Sequence, residues 1–170
     1  MVARFINVTY QSNDQFKPSE VRSLLGIDSK NYQDFIPIPH YMGIIAQENK
    51  DASLILQDCK FSTNYLTKFG VIKVVGGYLN DTNSTYWDNA GIYGGVYFSR
   101  DAAVNLTKIV AQNNFATYGG AVYLVDNSEM IIKSSTFKNN FALIRGGTIM
   151  IQRESLTSIN KQIQINDTTI

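Results

Sequence analysis

Four asparagines, Asn64, Asn89, Asn114 and Asn140, recur at intervals of 25, 25 and 26 residues, and no other feature of the chain restricts its fold so tightly. Three residues before them stand Phe61, Tyr86, Ala111 and Phe137, and two after them Leu66, Gly91, Ala116 and Ala142. Glycine follows shortly: Gly70, then the pairs Gly94-Gly95, Gly119-Gly120 and Gly146-Gly147. Each leads into an apolar run, VIKVV from Val71, VYFS from Val96, AVYLV from Ala121 and TIMI from Thr148. A second alternating stretch precedes the aromatic place, with Leu54 and Leu56, Val104 and Leu106, and Met130 and Ile132 at equivalent positions. Period two inside the unit reads as strand. A unit of about 25 residues without a 3.6-residue stripe is too short for a helical hairpin and suits one coil of a parallel β-helix.

In such a solenoid each coil lies about 4.8 Å above the last, so equivalent residues stack in columns. The columns explain the composition. An asparagine at a corner takes left-handed geometry and hydrogen-bonds its stacked neighbour, which satisfies backbone otherwise buried between coils. The ladder therefore consists of Asn64, Asn89, Asn114 and Asn140, with Gly95, Gly120 and Gly147 giving the positive φ or the close approach of a tight corner. Phe61 and Phe137 stack or fill the interior beside the small Ala116 and Ala142. The coil holding Tyr86 is irregular, because YLNDTNST replaces an apolar strand, and Leu79 to Thr85 reads as an outward loop.

The chemistry available is limited. With 15 Lys and Arg against 14 Asp and Glu among 170 residues, no global field draws the chain to nucleic acid. Apolar residues make up 44%, enough for a core, yet no run of about 18 could span a bilayer. One histidine, His40, cannot build a His-based metal site, and one cysteine, Cys59, cannot close an internal disulfide, so no cofactor is expected. No basic segment followed by an apolar core opens the chain.

The tetrapeptides FSTN (61–64), YWDN (86–89) and FKNN (137–140), with GGVY (94–97), GGAV (119–122) and GGTI (146–149), resemble the Phe-x-x-Asn and Gly-Gly-Ala-Ile signatures of the polymorphic outer membrane protein type repeat. The resemblance covers residues 50–152, with departures at Ala111 and at Phe69-Gly70. It implies an all-β, right-handed parallel β-helix like that of pectin-lyase-type proteins, in a large secreted or cell-surface protein of a bacterium or a protist. The asparagine-rich composition suits the AT-rich genome of a ciliate.

Residues 1–48 carry no repeat and are assigned to an N-terminal cap, with 49–170 as the solenoid. Within the cap, KPSEVRSLLG reads as a short helix started by Pro18 and stopped by Gly26. DFIPIPHY is extended, Phe16, Leu24 and Leu25 face the core, and Phe5 to Tyr10 is an irregular first strand. At the other end, IQINDTTI alternates as a strand should. Ile149, Ile151 and Ile165 would stand uncovered there, which points to further coils beyond Ile170 or to another subunit docked end to end.

Asp101 and Asp126 stand one coil apart just past a strand, near Arg100 and Arg153, and are the one carboxylate pair that could hold Ca²⁺ or act as acid and base. Their competing reading is as turn residues. Asp81, Asp88, Asn80, Asn83 and Asn89 read as a solvated loop, His40 as a loop residue, and Cys59, equivalent to Ser135, as a packed or outward thiol. Acceptor sequons occur at Asn7, Asn80, Asn83, Asn105 and Asn166. The function expected is a non-catalytic structural or adhesive module of an extracellular or cell-surface assembly. Its partners are further coils, other protein subunits or a second copy, or glycans, with no nucleic acid and no membrane span. The alternatives are a carbohydrate-active β-helix enzyme and an accessory subunit of a large protist complex.

Overall fold

The computed structural model describes residues 1–11, 44–65, 67–153 and 163–170. The first coil supplies β1 (Val2–Ile6), β2 (Thr9–Gln11) and β3 (Ile45–Gln47), and the second β4 (Ser53–Gln57), β5 (Lys60–Ser62) and β6 (Ile72–Val75). The third holds β7 (Tyr78–Thr82), β8 (Thr85–Trp87), β9 (Ala90–Tyr93) and β10 (Tyr97–Arg100). The fourth holds β11 (Ala103–Thr107), β12 (Val110–Gln112), β13 (Phe115–Tyr118) and β14 (Val122–Val125). The fifth holds β15 (Glu129–Lys133), β16 (Thr136–Lys138), β17 (Phe141–Arg145) and β18 (Ile149–Gln152), and β19 (Ile163–Asn166) opens a sixth. Each strand pairs in parallel with its equivalent one coil away, giving four sheets that run along the axis. The chain is a parallel β-helix.

Alternation within each strand sends one set of side chains into the tube. Leu54, Leu79, Val104 and Met130 stack in register, as do Phe61, Tyr86, Ala111 and Phe137. All of them are buried in one core. Phe61 and Tyr86 are stacked with ring centroids 5.3 Å apart, and Ala111 occupies the aromatic place without breaking the column. Burying each such Leu, Val or Phe contributes roughly 1.5–3 kcal/mol, the main force that winds the chain.

The asparagine ladder is present. Asn64, Asn89 and Asn114 each donate both the backbone N–H and Nδ2 to Oδ1 of the next asparagine, at 2.8–3.2 Å. Nδ2 of Asn89, Asn114 and Asn140 also reaches the carbonyls of Phe61, Tyr86 and Ala111. The expected left-handed geometry, however, falls one residue earlier, on Thr63, Asp88, Asn113 and Asn139, with φ between 54° and 57°. The reason is division of labour: the preceding residue turns the backbone and points outward, which leaves the ladder side chain free to point along the axis. Every other non-glycine residue of positive φ among the described residues also sits at a corner: Asn7, Asp58, Asn83, Lys108, Ser134 and Asp167 at one, Asp101 and Asp126 at another.

Two expectations are corrected. Leu79 to Thr85 is no outward loop: β7 lies between β4 and β11 in unbroken register. Leu79 and Asp81 are buried, and the polar letters that suggested a loop belong to outward positions and to one inward aspartate. The coils also begin before residue 49, since Val2 pairs with Ser53, Thr9 with Lys60 and Ile45 with Ile72. The intervening residues 12–43 stretch the interval between equivalent strands and hide the period. The expected helix at 17–26, the DFIPIPHY segment, Phe16, Leu24, Leu25 and His40 lie outside the described residues. Phe5 is half-buried against the core, Ile151 and Ile165 are exposed, and Ile149 packs on the core.

Candidate functional site

Among the described residues the outer surface carries a built feature at the glycine corner. Phe98, Tyr123 and Val125 point out of the tube from β10 and β14, yet Phe98 and Tyr123 are each only 3% exposed. They form a cluster separate from the core, covered by Phe69, Val75, Tyr93, Tyr118 and Met150. Outward side chains on both sides of a turn can meet only where the surface folds inward, so the Gly94-Gly95 and Gly119-Gly120 corners line a re-entrant groove. Gly94 and Gly119 supply φ of 73° and 64°, and a Cβ on Gly95 or Gly120 would overlap the carbonyl of the glycine one coil above. Gly147 has nothing against it within 4 Å, because no described coil covers it.

Two ring ladders run along this groove. Phe69, Tyr93 and Tyr118 stack with centroids 5.8 and 5.6 Å apart, and Phe98 stacks on Tyr123 at 5.9 Å. Tilted contacts join the ladders, Phe69 to Phe98 at 4.5 Å and Tyr93 to Tyr123 at 5.3 Å. Within the ladders the rings stack face to face, so the groove presents mainly ring edges, which carry the positive end of the aromatic quadrupole, and hydroxyls, while the faces not used in stacking meet cations. Lys68 and Lys73 stand over Phe69 at 5.2 and 4.6 Å, and Arg100 over Phe98 at 5.9 Å. Two cavities open here, of about 290 Å³ beside Tyr118, Arg145 and Met150 and about 190 Å³ beside Lys68, Phe69 and Arg100. Lys73 is paired with Glu48.

The carboxylates singled out in the sequence do share a column, with Gly76 below Asp101 and Asp126 above it. Asp101 Oδ1 accepts hydrogen bonds from Asn127 N and Nδ2 at 3.3 and 3.0 Å. Asp126 Oδ2 lies 3.6 Å from Arg100 Nε, and Arg153 is exposed at the end of β18. Among the described residues no three His, Cys, Asp or Glu side chains converge. Of the sequons, Asn7 and Asn83 are exposed corner residues, and Asn166 is exposed at the end of β19. Asn80 and Asn105 are half-buried partners on the outer face of β7 and β11, where Asn105 Nδ2 donates to the Tyr78 hydroxyl at 2.6 Å. Asn89 belongs to the ladder, and Asp88 accepts the Tyr65 hydroxyl at 3.0 Å; burial, reinforced by this contact with Asp88, holds that phenol well above its ordinary pKa.

Cys59 is fully buried, the packed alternative of the two readings. Its column proves to be a second ladder that sequence reasoning missed. Ser84 Oγ accepts the Cys59 amide, Ser135 Oγ the Ile109 amide and Thr168 Oγ1 the Ser135 amide, at 3.0–3.3 Å. Each hydroxyl, and the Cys59 thiol likewise, donates to the carbonyl two residues before it. The signal was legible as a small polar residue two places before Phe61, Tyr86 and Phe137, interrupted by Val8 before Tyr10 and by Ile109 before Ala111. Also missed was Tyr10-Gln11-Ser12-Asn13, an aromatic-x-x-Asn tetrapeptide in which Tyr10 pairs with Phe61; Asn13 lies outside the described residues.

Fold and corner together define a parallel β-helix with an aromatic groove along one edge, and among the described residues no helix is long and apolar enough to cross a membrane. No family model matches the chain, and no curated protein or solved structure matches it.

Proposed function

We propose that the chain is a non-catalytic structural and adhesive β-helix module of a secreted or cell-surface protein, working within an extracellular assembly, with the glycine-corner groove as its contact face. The observation that carries this reading is the pair of ring ladders, which presents hydroxyls, ring edges and cations in a fixed row one coil apart. A contact surface of that kind needs rigid support, and two ladders of buried corner hydrogen bonds supply it. The contacts already made by Asp101 and Asp126 favour their role as corner residues over an acid and base pair. The resemblance of the corners to the polymorphic outer membrane protein type repeat supports a location at the cell surface, with other subunits, a second copy or glycans as partners.

The test is to immobilise the chain and measure its retention of a glycan array and of a second copy, for the wild type, Tyr118→Ala and Asp126→Asn. The reading expects binding that Tyr118→Ala abolishes and Asp126→Asn leaves intact. Cleavage of a polysaccharide by the wild type, lost in Asp126→Asn, would replace it with the enzymatic alternative.

A further inference from the structure

Asp81 sits where the tube has no place for a charge. It points inward from β7 in register with Leu56 of β4 and Leu106 of β11, and its exposure is 0%. Its Oδ2 accepts the hydroxyl of Tyr86 and, at 2.7 Å, that of Tyr97. Both tyrosines are buried and packed edge to face at 5.0 Å. Asp81 Oδ1 is buried with no hydrogen-bond partner. An ionised carboxylate so placed would have, among the described residues, one oxygen without a hydrogen bond and no cation beside it in an apolar interior, a costly arrangement for a core. A carboxylic acid in the same place carries no such charge.

We infer that the Asp81, Tyr86 and Tyr97 cluster is a proton-held joint: the third coil closes on an uncharged carboxyl, and loss of that proton opens the solenoid at this coil. The titratable groups facing Asp81 from the surrounding elements are Tyr86 of β8, Tyr97 of β10 and, beside Tyr86, the thiol of Cys59. The inward positions of β4 and β11 are Leu54, Leu56, Val104 and Leu106, and no cation faces the cluster among the described residues. Burial pushes the Asp81 carboxyl above the usual carboxylate range, against the opposing pull of the Ser84, Tyr86 and Tyr97 hydroxyls and the Thr82 backbone. Both phenols are pushed up as well, first by burial and then by the charge Asp81 would carry, so they remain donors.

The sign follows from linkage. A carboxyl whose folded pKa is raised stabilises the fold fully below its unfolded value of about 3.9, and the contribution fades as pH rises towards the folded value. Across that window a single coupled proton lets the opening equilibrium grow by up to about tenfold per pH unit. The joint is independent of the proposed adhesive role, and Cys59 reports on it, since its amide donates to Ser84 of the same coil and its thiol is shielded.

The experiment has two arms. In the first, infrared spectra of the wild type recorded as pH is raised through and above the usual carboxylate range are expected to keep the C=O stretch of a protonated carboxyl that Asp81→Leu lacks. In the second, the rate of Cys59 alkylation, corrected for thiolate ionisation, is expected to climb with pH in the wild type. The climb should flatten in Asp81→Asn and in Asp81→Leu, whose side chain matches Leu56 and Leu106. Absence of the protonated-carboxyl band, or pH profiles identical in the wild type and either folded variant, would overturn the joint.

Discussion

A corner asparagine and a surface asparagine differ here by what their amides touch. The Asn114 side chain accepts from Asn89 N and Nδ2 and donates to Asn140 Oδ1 and the Tyr86 carbonyl, while its backbone N–H also donates to Asn140 Oδ1. Asn114→Ala strands buried backbone and should cost on the order of 1–3 kcal/mol, whereas Asn83→Ala, at an exposed corner, gives up a residue suited to φ 56° and one bond to Asp58 but no buried partner, and should cost less. Denaturant titration of the two variants checks this, and equal midpoints would contradict the ladder. Thr63 is the reverse case, a β-branched residue held at φ 55°, where the left-handed region costs an L side chain roughly 1–2 kcal/mol. Asn113 and Asn139 occupy the same corner in later coils, so Thr63→Asn should raise the unfolding midpoint. What the sequence concealed at this scale was Asp81: an aspartate among Asn and Thr reads as a solvated loop, and only register shows it facing inward.

Elements were legible where inward letters are apolar and opaque where they are not. The runs from Val71, Val96, Ala121 and Thr148, and the pairs at Leu54, Val104 and Met130, declared their strands by alternation, and β6, β10, β14, β18, β4, β11 and β15 lie there. β7 was hidden because Asn80 and Thr82 flank Asp81, and β1 to β3 because residues 12–43 stand between β2 and β3 and break the spacing. The aromatic groove was hidden for another reason: β10 carries Tyr97 on one face and Phe98 on the other, and alternation alone cannot say which face folds inward at the glycine corner. The glycines make a paired prediction. Gly120→Ala drives a Cβ into the Gly147 carbonyl and the Phe141 backbone and should unfold or severely destabilise the protein, while a Cβ on Gly147 meets no atom of the described residues within 4 Å. Circular dichroism melts of the two variants should differ sharply even though both residues fill the same place in the repeat.

For the whole molecule the account stands on one claim, that a single register runs from coil to coil, so that columns of equivalent residues hold the tube together and align the groove. The structural role proposed, the ladders and the Asp81 joint all depend on it. Disulfide trapping on the outer face of the sheet containing β12 and β16 tests it in solution, in a Cys59→Ser background that suits a column already holding Ser84 and Ser135. Val110 pairs with Thr136, and Gln112 with Lys138. Parallel partners lie about 4.8 Å apart, inside the range a disulfide bridges, whereas Val110 and Lys138 are offset along the strand beyond the limit of about 7 Å. The account predicts that Val110→Cys with Thr136→Cys closes readily under mild oxidation and raises the unfolding midpoint, and that Val110→Cys with Lys138→Cys does not close. Failure of the first pair, or closure of the second in its place, would contradict the register and the claim with it.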